Sequence, residues 1–352
     1  MEVRQLVAPD SATLRKHWQN LRMAQPDLRI RNAAEQLGVS ELTLRLTQLP
    51  EQVRRLQPDF AQIYQALKTL GPVMTLARND DVVHETSGRF STLTVMSQGQ
   101  SGLCMGEIDL RLFFSEWRHG YAITESSKLG DRYSLQFFDG AGGAIHKIYA
   151  TERTDMSAWS ALLQRFVAAQ QRPPLALCPP VSLTRHRGWV DSEALRSDWQ
   201  AITDVHQFQG VLKKHRLDRL TALEKIGIDW AFPVPGTSIP EVLAQVAAAG
   251  TPIMVFVGNR GVIQIFTGAV QRLVTIPGWF NVLDPTFNLH LANDRLSSCW
   301  VVRRPSADGV ITSLEGFNRR GELAISLFGA RQPGQAELPA WRALLDALAE
   351  VP

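Results

Sequence analysis

The sequence repeats itself at an interval of about 180 residues, and this repeat limits the possible folds more than any other feature. Four pairs of segments match in the same order: residues 14–19 with 195–200, 72–79 with 252–259, 134–138 with 313–317, and 158–163 with 340–345. A nearly constant offset across four anchors indicates a duplicated structural unit. We therefore expect two copies of one fold in tandem.

Each copy begins with a helical pattern. In the first copy, Leu14, Trp18 and Leu21 recur at the spacing of one helix face. Gly38 is typical of a helix end, and Ser40 is typical of the start of the next helix. A small cluster of helices is therefore predicted at the beginning of the copy.

Beyond Pro72 the period of the pattern changes to two, which is typical of strands. Glycine-rich or Asn/Asp-rich turns separate neighbouring strands and favour hairpins. The predicted strands flank a turn at 78–81 and then cover residues 92–96, 108–114, 133–138 and 145–151, before a helical pattern returns at 156–169. The fold class is therefore α+β, with a helical cluster, a large antiparallel sheet and a closing helix in each copy.

A proline-rich stretch separates the two copies. It has little periodicity and contains Pro173, Pro174, Pro179 and Pro180. We predict an N-terminal repeat at 1–170, a linker at 171–190 and a C-terminal repeat at 191–352.

Composition excludes several classes of protein. With 45% hydrophobic and 20% charged residues, the 352-residue chain has the make-up of a globular protein with two sizeable cores. A net charge of +3 implies no general surface for nucleic acid. No segment resembles a signal peptide or a membrane span of ~18 apolar residues, so we expect no stable membrane insertion and a cytoplasmic location. The three separate cysteines suit reduced thiols.

One histidine lies on a predicted helix face. Four residues follow one another at steps of four, three and four, which would place them all on the buried side of a single helix. They are Leu195, Trp199, Ile202 and His206. A buried neutral imidazole needs a hydrogen-bond partner or a Lewis acid, because unsatisfied ring nitrogens cost on the order of 1–3 kcal/mol. The spacing alone fits a core histidine or a ligand of a metal or haem iron.

Two polar positions distinguish the copies. His206 stands opposite Gln25, so only the second copy offers an imidazole at that place. In the strand at 108–114, Arg111 points to the face opposite the aliphatic residues that alternate with it. His290 occupies the equivalent place in the second copy.

Segments in both copies resemble one known family. Residues 199–208 (WQAITDVHQF), running on through 212–219, are similar to the bacterial cytoplasmic haemin-utilisation proteins, known as hemin-degrading factor or hemin transport protein. Five further segments resemble the same family in order: DLRLF at 109–113, QFFD at 136–139, YATERTDMSAW at 149–159, FVGNRG at 256–261 and QIFTG at 264–268. The resemblance therefore covers nearly the whole chain.

The resemblance implies that haem b, iron protoporphyrin IX, binds between the two copies. It assigns the axial iron ligand to His206 and the distal arginine to Arg111, which makes both residues catalytic if the protein degrades haem. A distal guanidinium stays protonated at any relevant pH and can donate hydrogen bonds there.

The resemblance also assigns haem-binding roles to residues of the second copy. Arg219, Arg304 and Arg331 match the cations that bind the two propionates, and a guanidinium suits a carboxylate because it can donate two parallel hydrogen bonds. Relatives often have lysine at the position of Arg304, and they have tyrosine at the position of Phe328. The phenylalanine removes a hydroxyl, so the role of that hydroxyl does not carry over.

The resemblance leaves the activity open between two main classes. The leading hypothesis is a haem-degrading enzyme that releases iron and needs O₂ and an external reductant. The alternative is a non-catalytic chaperone that delivers haem to a separate haem oxygenase. A third hypothesis is a haem-responsive regulator that uses Cys178 of the Cys-Pro dipeptide at 178–179. The partners implied are haem, a haem ABC importer, a reductase and a haem oxygenase.

Overall fold

A computed structural model of the chain describes residues 11–26, 28–48, 52–127, 130–171, 175–186, 188–332 and 334–350. The chain forms two compact units. The first comprises Met1–Leu76, Ser87–Pro180 and Arg260–Val262, and the second comprises Ala77–Thr86, Val181–Asn259 and Ile263–Pro352. The predicted limits of the two repeats and their linker stay a prediction.

The first half of the chain begins and ends with helices around a run of strands, as predicted. Its elements are α1 Ser11–Ala24, α2 Ile30–Gln36, α3 Glu41–Arg45, β1 Val53–Arg55, α4 Phe60–Ala66, β2 Pro72–Arg78, β3 Val82–Arg89, β4 Thr94–Met96, β5 Ser101–Cys104, β6 Asp109–Phe113, β7 Trp117–Ser127, β8 Gly130–Asp139, β9 Ala144–Ala150 and α5 Met156–Phe166.

The second half repeats this order element for element. Its elements are α6 Ser192–Gln200, α7 Phe208–His215, α8 Arg219–Ile226, β10 Ala231–Val234, α9 Ser238–Ala249, β11 Ile253–Gly258, β12 Val262–Gly268, β13 Leu273–Ile276, β14 Trp279–Leu283, β15 Phe287–Ala292, β16 Leu296–Arg304, β17 Ile311–Asn318, β18 Leu323–Gly329 and α10 Pro339–Asp346.

In the first unit, strands pair in the order β1-β7-β8-β9-β2, and β4, β5 and β6 form an antiparallel meander. Leu14 and Trp18 of α1 pack with residues of α2 and α3 in a helical core. The Ser40 hydroxyl accepts a hydrogen bond from the Thr43 N–H at 3.0 Å, which confirms the predicted helix start. The closing helix α5 buries Trp159.

The second unit has the same construction. Its strands pair in the order β10-β16-β17-β18-β11-β12. A second antiparallel set has the order β3-β15-β14-β13, in which β15 pairs with the first residues of β3. Helices α6, α7 and α8 pack on one face of β16 and β17, and α9 and α10 pack on the other. Leu195, Trp199 and Trp341 are buried like their counterparts in the first copy. The duplicated α+β fold is therefore confirmed.

Each unit includes one short segment that is distant in sequence from the rest of that unit. In the first unit the Gly261 carbonyl accepts hydrogen bonds from the Phe113 N–H at 3.0 Å and the Trp117 indole N–H at 2.9 Å. In the second unit the Asn79 amide donates to the carbonyls of Gly258 at 3.2 Å and Ala324 at 2.8 Å. These bonds fix Arg260–Val262 and Ala77–Thr86 in their respective units.

None of the helices in the described part of the chain is long and apolar enough to cross a membrane. Across the same residues, no group of three or more His, Cys, Asp or Glu side chains could hold a metal ion.

Candidate functional site

His206 lies on a 3-10 turn, Val205–Gln207, and its side chain is exposed. The prediction of a buried imidazole on one continuous helix was wrong, because α6 ends at Gln200. The Asp204 carboxylate accepts a hydrogen bond from the His206 N–H at 2.8 Å, and the Gln207 amide oxygen accepts one from the Asp204 N–H at 3.3 Å. This capping box starts a new helical segment. The imidazole is therefore accessible to a ligand from outside the chain.

Phe208 begins α7 immediately after this turn, and its ring is buried. Two arginines lie against the ring: the guanidinium carbon of Arg219 is 4.9 Å from the ring centre, and that of Arg304 is 4.4 Å away. Both distances are within the range of a cation–π interaction. The fold thus brings two of the three predicted propionate-binding arginines onto one ring, two residues from His206.

Both arginines are ion-paired with Glu315 of β17, a residue that the sequence reasoning missed. Arg219 donates from Nε and Nη2 to the two carboxylate oxygens, each at 2.7 Å. Arg304 donates from Nη2 to the same carboxylate and from Nη1 to the Ser313 hydroxyl at 3.2 Å. The Ser313 hydroxyl in turn donates to Glu315 at 3.0 Å. We call these four residues the Glu315 cluster.

The Glu315 cluster carries an excess of positive charge. Burial by itself would raise the pKa of Glu315, but the neighbouring charges of Arg219 and Arg304 lower it to about 2. Burial lowers the pKa of Arg304, and the Glu315 carboxylate opposes that shift. One ionised carboxylate therefore faces two guanidinium groups, which leaves one positive charge unbalanced. An anionic ligand would balance it.

The two arginines differ in their access to solvent. The Arg219 side chain is 20% exposed, whereas that of Arg304 is 3% exposed. The Arg304 Nε atom is buried and has no hydrogen-bond partner among the residues that the structure describes. Arg219 is thus the more accessible of the two guanidinium groups.

An aromatic surface lies beside the Glu315 cluster. Phe328 of β18 is directly opposite Ser313 in the β17–β18 register, and directly opposite Met254 in the β11–β18 register. Residues opposite each other share a sheet face, so Phe328 lies on the face of the cluster. Its half-buried ring meets Phe256 edge-on, with ring centres 5.0 Å apart. This surface is apolar and lies next to the positively charged Glu315 cluster.

Arg331 follows β18 and has a different partner. Its Nη1 atom lies 3.3 Å from a carboxylate oxygen of Asp308, and its side chain is 19% exposed. The structure therefore does not place Arg331 in the Glu315 cluster. Its predicted role in binding propionates stays a prediction.

Arg111 lies on β6 in the first unit. Leu110 and Leu112 are buried and Arg111 is only partly so, which confirms the predicted alternation of the strand. Its guanidinium is ion-paired with Asp109 on the same face. Burial raises the pKa of Asp109, although Arg111 opposes this. The predicted place of Arg111 on the distal side of a haem stays a prediction.

Other donors that could compete with His206 differ in their surroundings. His290 Nδ1 is hydrogen-bonded to the Asn281 amide oxygen at 2.7 Å, and His215 Nε2 lies 2.7 Å from the Asp198 carboxylate. Cys178 is an exposed free thiol. Of these donors, His206 is the nearest in sequence to Phe208, whose ring the two arginines contact.

A family model described as the haemin-degrading HemS.ChuX domain matches the chain twice, at residues 38–166 and at residues 216–348. The chain belongs to this family. The two matches also account for the internal repeat, since each corresponds to one copy.

Individual members of the haemin-degrading family match nearly the whole chain. Hemin transport protein HmuS of Yersinia pestis is 37% identical over 334 residues, which are 94% of this chain and 96% of that protein. Holo-PhuS, a heme-binding protein from Pseudomonas aeruginosa, has a TM-score of 0.93 and 43% identity over 96% of this chain and 99% of that one. The heme degrading enzyme ChuS of Escherichia coli O157:H7 has a TM-score of 0.90 and 36% identity over the same shares.

The two HemS.ChuX copies differ at the position of Glu315. Its counterpart, at the offset of Ser134 from Ser313, is Gln136, which is also fully buried. The Gln136 amide donates to the Ser134 hydroxyl at 3.0 Å, the same distance as between Ser313 and Glu315. The copies thus share a polar pair on the corresponding strand, and only the second makes it a charged one.

Proposed function

We propose that this chain binds haem and serves the use of haem as an iron source, with His206 as the axial ligand of the iron. The observation that carries the proposal is the exposed imidazole two residues from Phe208, whose ring contacts two arginines. A haem needs a nitrogen or sulfur donor, apolar surface and cations for its propionates. The second unit offers each of these among its described residues.

The residues of the second unit fit a haem in chemical character. His206 supplies a ring nitrogen, and Arg219 supplies an accessible guanidinium. Phe328 and Phe256 supply apolar area. Phe328 stands where relatives have a tyrosine, so the apolar area is larger here and one hydroxyl is lost. The buried Arg304 adds a second positive charge beside Arg219, which suits an acidic group.

We infer that the activity is degradation of haem, which the name of ChuS states for that relative. We expect this degradation to release the iron. When bound, the haem would supply the redox-active iron at which oxygen chemistry takes place. The second candidate is a carrier that passes haem on intact, which the name of the hemin transport protein HmuS favours. A haem-responsive regulator using Cys178 is a weaker third candidate, since that thiol is exposed but far in sequence from the Glu315 cluster.

The remaining features of the proposal come from the resemblance. They are the b form of haem, the cytoplasmic location, and an importer, a reductase and a haem oxygenase as partners. Each stays a prediction. A pull-down from cells grown on haem as the sole iron source, with the wild-type chain as bait, would identify the partners.

The experiment that separates enzyme from carrier is a visible absorption time course. Purified protein loaded with haemin is given a reductase, NADPH, catalase and an iron chelator. Loss of the Soret band with formation of a linear tetrapyrrole and trapped iron supports the enzyme. A Soret band that persists until a haem oxygenase is added supports the carrier. Failure of the protein to bind haemin at all contradicts both.

Arg111→Ala is expected to leave haemin bound and to change the reactivity of the bound haem with oxygen. The reason is that the substitution removes a permanent charge and its hydrogen-bond donors but leaves His206 and the Glu315 cluster intact. Turnover should fall by about 10²-fold if Arg111 stabilises charge during the reaction. Single-turnover absorption measures this. Arg118→Ala, on β7, the next strand along the chain, is the control. Equal turnover in both variants would remove Arg111 from the mechanism.

A further inference from the structure

The bidentate contact between Arg219 and Glu315 occupies one of the edges through which a guanidinium binds carboxylates. Arg219 uses Nε and Nη2 for Glu315, each at 2.7 Å. That edge is one of those that give two parallel hydrogen bonds to a carboxylate. Arg219 is the more exposed member of the pair, so a ligand carboxylate would meet a guanidinium that already holds a carboxylate from the chain itself.

We propose that Glu315 sets how firmly this site holds ligands that carry carboxylates, by competing with the ligand for Arg219 and by cancelling one of the two arginine charges. The inference rests on the proposed function, because it takes the propionates of haem as the carboxylates in question. It adds a specificity-determining residue that does not itself need to touch the ligand. Its consequence is faster release, which suits a protein that has to let a bound tetrapyrrole go.

The first copy indicates that the fold itself does not require a charge at this position. Gln136 occupies the corresponding place, is fully buried and keeps the hydrogen bond to Ser134. A neutral amide of the same size is therefore compatible with this strand and its neighbours. We therefore attribute the presence of a carboxylate at Glu315 to its two arginine partners, Arg219 and Arg304, in the second copy.

Charge counting gives the direction of the effect. The cluster has two guanidinium groups and one carboxylate, so it presents one net positive charge to a ligand with two propionates. Without the carboxylate it would present two. A buried charge acts through a medium of lower effective permittivity than water. The loss of one negative charge therefore changes the interaction energy with a ligand charge several ångströms away.

The test is the rate at which haemin leaves the Glu315→Gln protein for an excess of apomyoglobin. The rate should be about tenfold lower than for the wild-type protein, which is the order expected for one charge at this effective permittivity. Haemin dimethyl ester, which has no free carboxylates, should leave both proteins at the same rate. Comparing the two ligands separates competition for Arg219 from any general loosening of the site.

Glu337→Gln is the matched control. Glu337 is also a buried glutamate in the second unit and is paired with an arginine, with its Oε1 atom 2.6 Å from Arg342 Nε. It is bonded to Thr312, which lies on the opposite sheet face from the Glu315 cluster. Glu337→Gln should therefore leave the release of both ligands unchanged.

Three results would overturn the proposal. They are an unchanged haemin release rate, a faster one, or an equal change for haemin and its dimethyl ester. If Glu315→Gln fails to fold, Glu315→Asp takes its place, since the shorter side chain loses the bidentate contact and should slow release in the same direction by less. Wild-type protein that binds no haemin would contradict the proposed function, whereas normal wild-type binding with an unaltered variant contradicts only the role of Glu315.

Discussion

Replacing His206 with alanine is expected to weaken haemin binding by about a hundredfold and to change the position of the Soret band. Loss of even an outer partner of a metal ligand costs roughly 10–100-fold in metal affinity, and loss of the ligand itself should cost at least the upper end of that range. The folded state should be little affected, because the imidazole is exposed. Absorption titration with haemin measures both quantities.

The control for this prediction is His215→Ala. His215 is close in sequence to His206 and on the adjoining helix α7, but it is engaged with Asp198 at 2.7 Å. The control should bind haemin like the wild-type protein. A spectrum and an affinity that do not change in His206→Ala would mean that another donor, such as His290, His215 or Cys178, holds the iron.

The second large effect concerns stability. Arg304→Met should lower the free energy of unfolding by about 3–5 kcal/mol at neutral pH, the usual result of removing one partner from a buried ion pair. Glu315 is fully buried and, among the residues that the structure describes, would keep Arg219 as its one ion-pair partner. Urea unfolding followed by tryptophan fluorescence measures the difference, and Trp199, whose indole donates to the Arg303 carbonyl, is a probe close to the site.

The stability difference should depend on pH in a defined direction. The folded protein lowers the pKa of Glu315 from its ordinary value of 4.5 to about 2. An ionised Glu315 therefore stabilises the fold above pH 4.5, and this contribution is lost as the pH falls towards 2. The difference between wild-type protein and Arg304→Met should accordingly shrink between these two pH values, because the interaction that the substitution removes is then weakened in the wild-type protein as well.

Arg320→Met provides the comparison for Arg304→Met. Arg320 is also ion-paired in the second unit, to Asp80 and Glu322, but its side chain is 58% exposed. Exposed ion pairs contribute about 0–1 kcal/mol, so the control should unfold almost like the wild-type protein. An equally small loss for Arg304→Met would show that the Glu315 cluster is not a buried ion-pair system in solution.

Local chemistry explains why much of the fold could be predicted. The hairpin between β8 and β9 follows from Asp139 and the glycines after it, and Asp139 indeed accepts hydrogen bonds from the N–H groups of Ala141 and Gly143. The alternation in β6 placed Arg111 correctly because the period of a strand is fixed by its backbone. Each of these features depends on residues that are neighbours in sequence.

His206 was predicted to be buried because the helical spacing of the preceding apolar residues was extended beyond the end of α6 at Gln200. Leu195, Trp199 and Ile202 are buried as the spacing predicts, but the stripe ends there. Asp204 and Gln207 carry the sequence pattern of a capping box, which would have marked a new helix start and an exposed side chain at His206. The sequence therefore contained two conflicting patterns, the capping box of Asp204 and Gln207 and the apolar spacing that extends to His206.

Glu315 could not have been found in this way. A glutamate inside a strand normally faces solvent, and the strand itself contains no sign that helices cover that face. The cover comes from α6, α7 and α8, and the two compensating arginines lie on α8 and β16, up to 96 residues away in sequence. Only the tertiary structure brings the charges together. The proposal that Arg219 and Arg304 bind propionates likewise came from resemblance and not from any local pattern.

The bond between the Trp117 indole and the Gly261 carbonyl spans 144 residues of sequence. Domains generally fold in order as they leave the ribosome, the N-terminal one first. Here the first unit cannot complete its own hydrogen bonding until residues 260–262 have been translated, after most of the helices of the second unit have already emerged. During synthesis, the first unit therefore lacks its hydrogen bonds to Gly261 until residues 260–262 have been made.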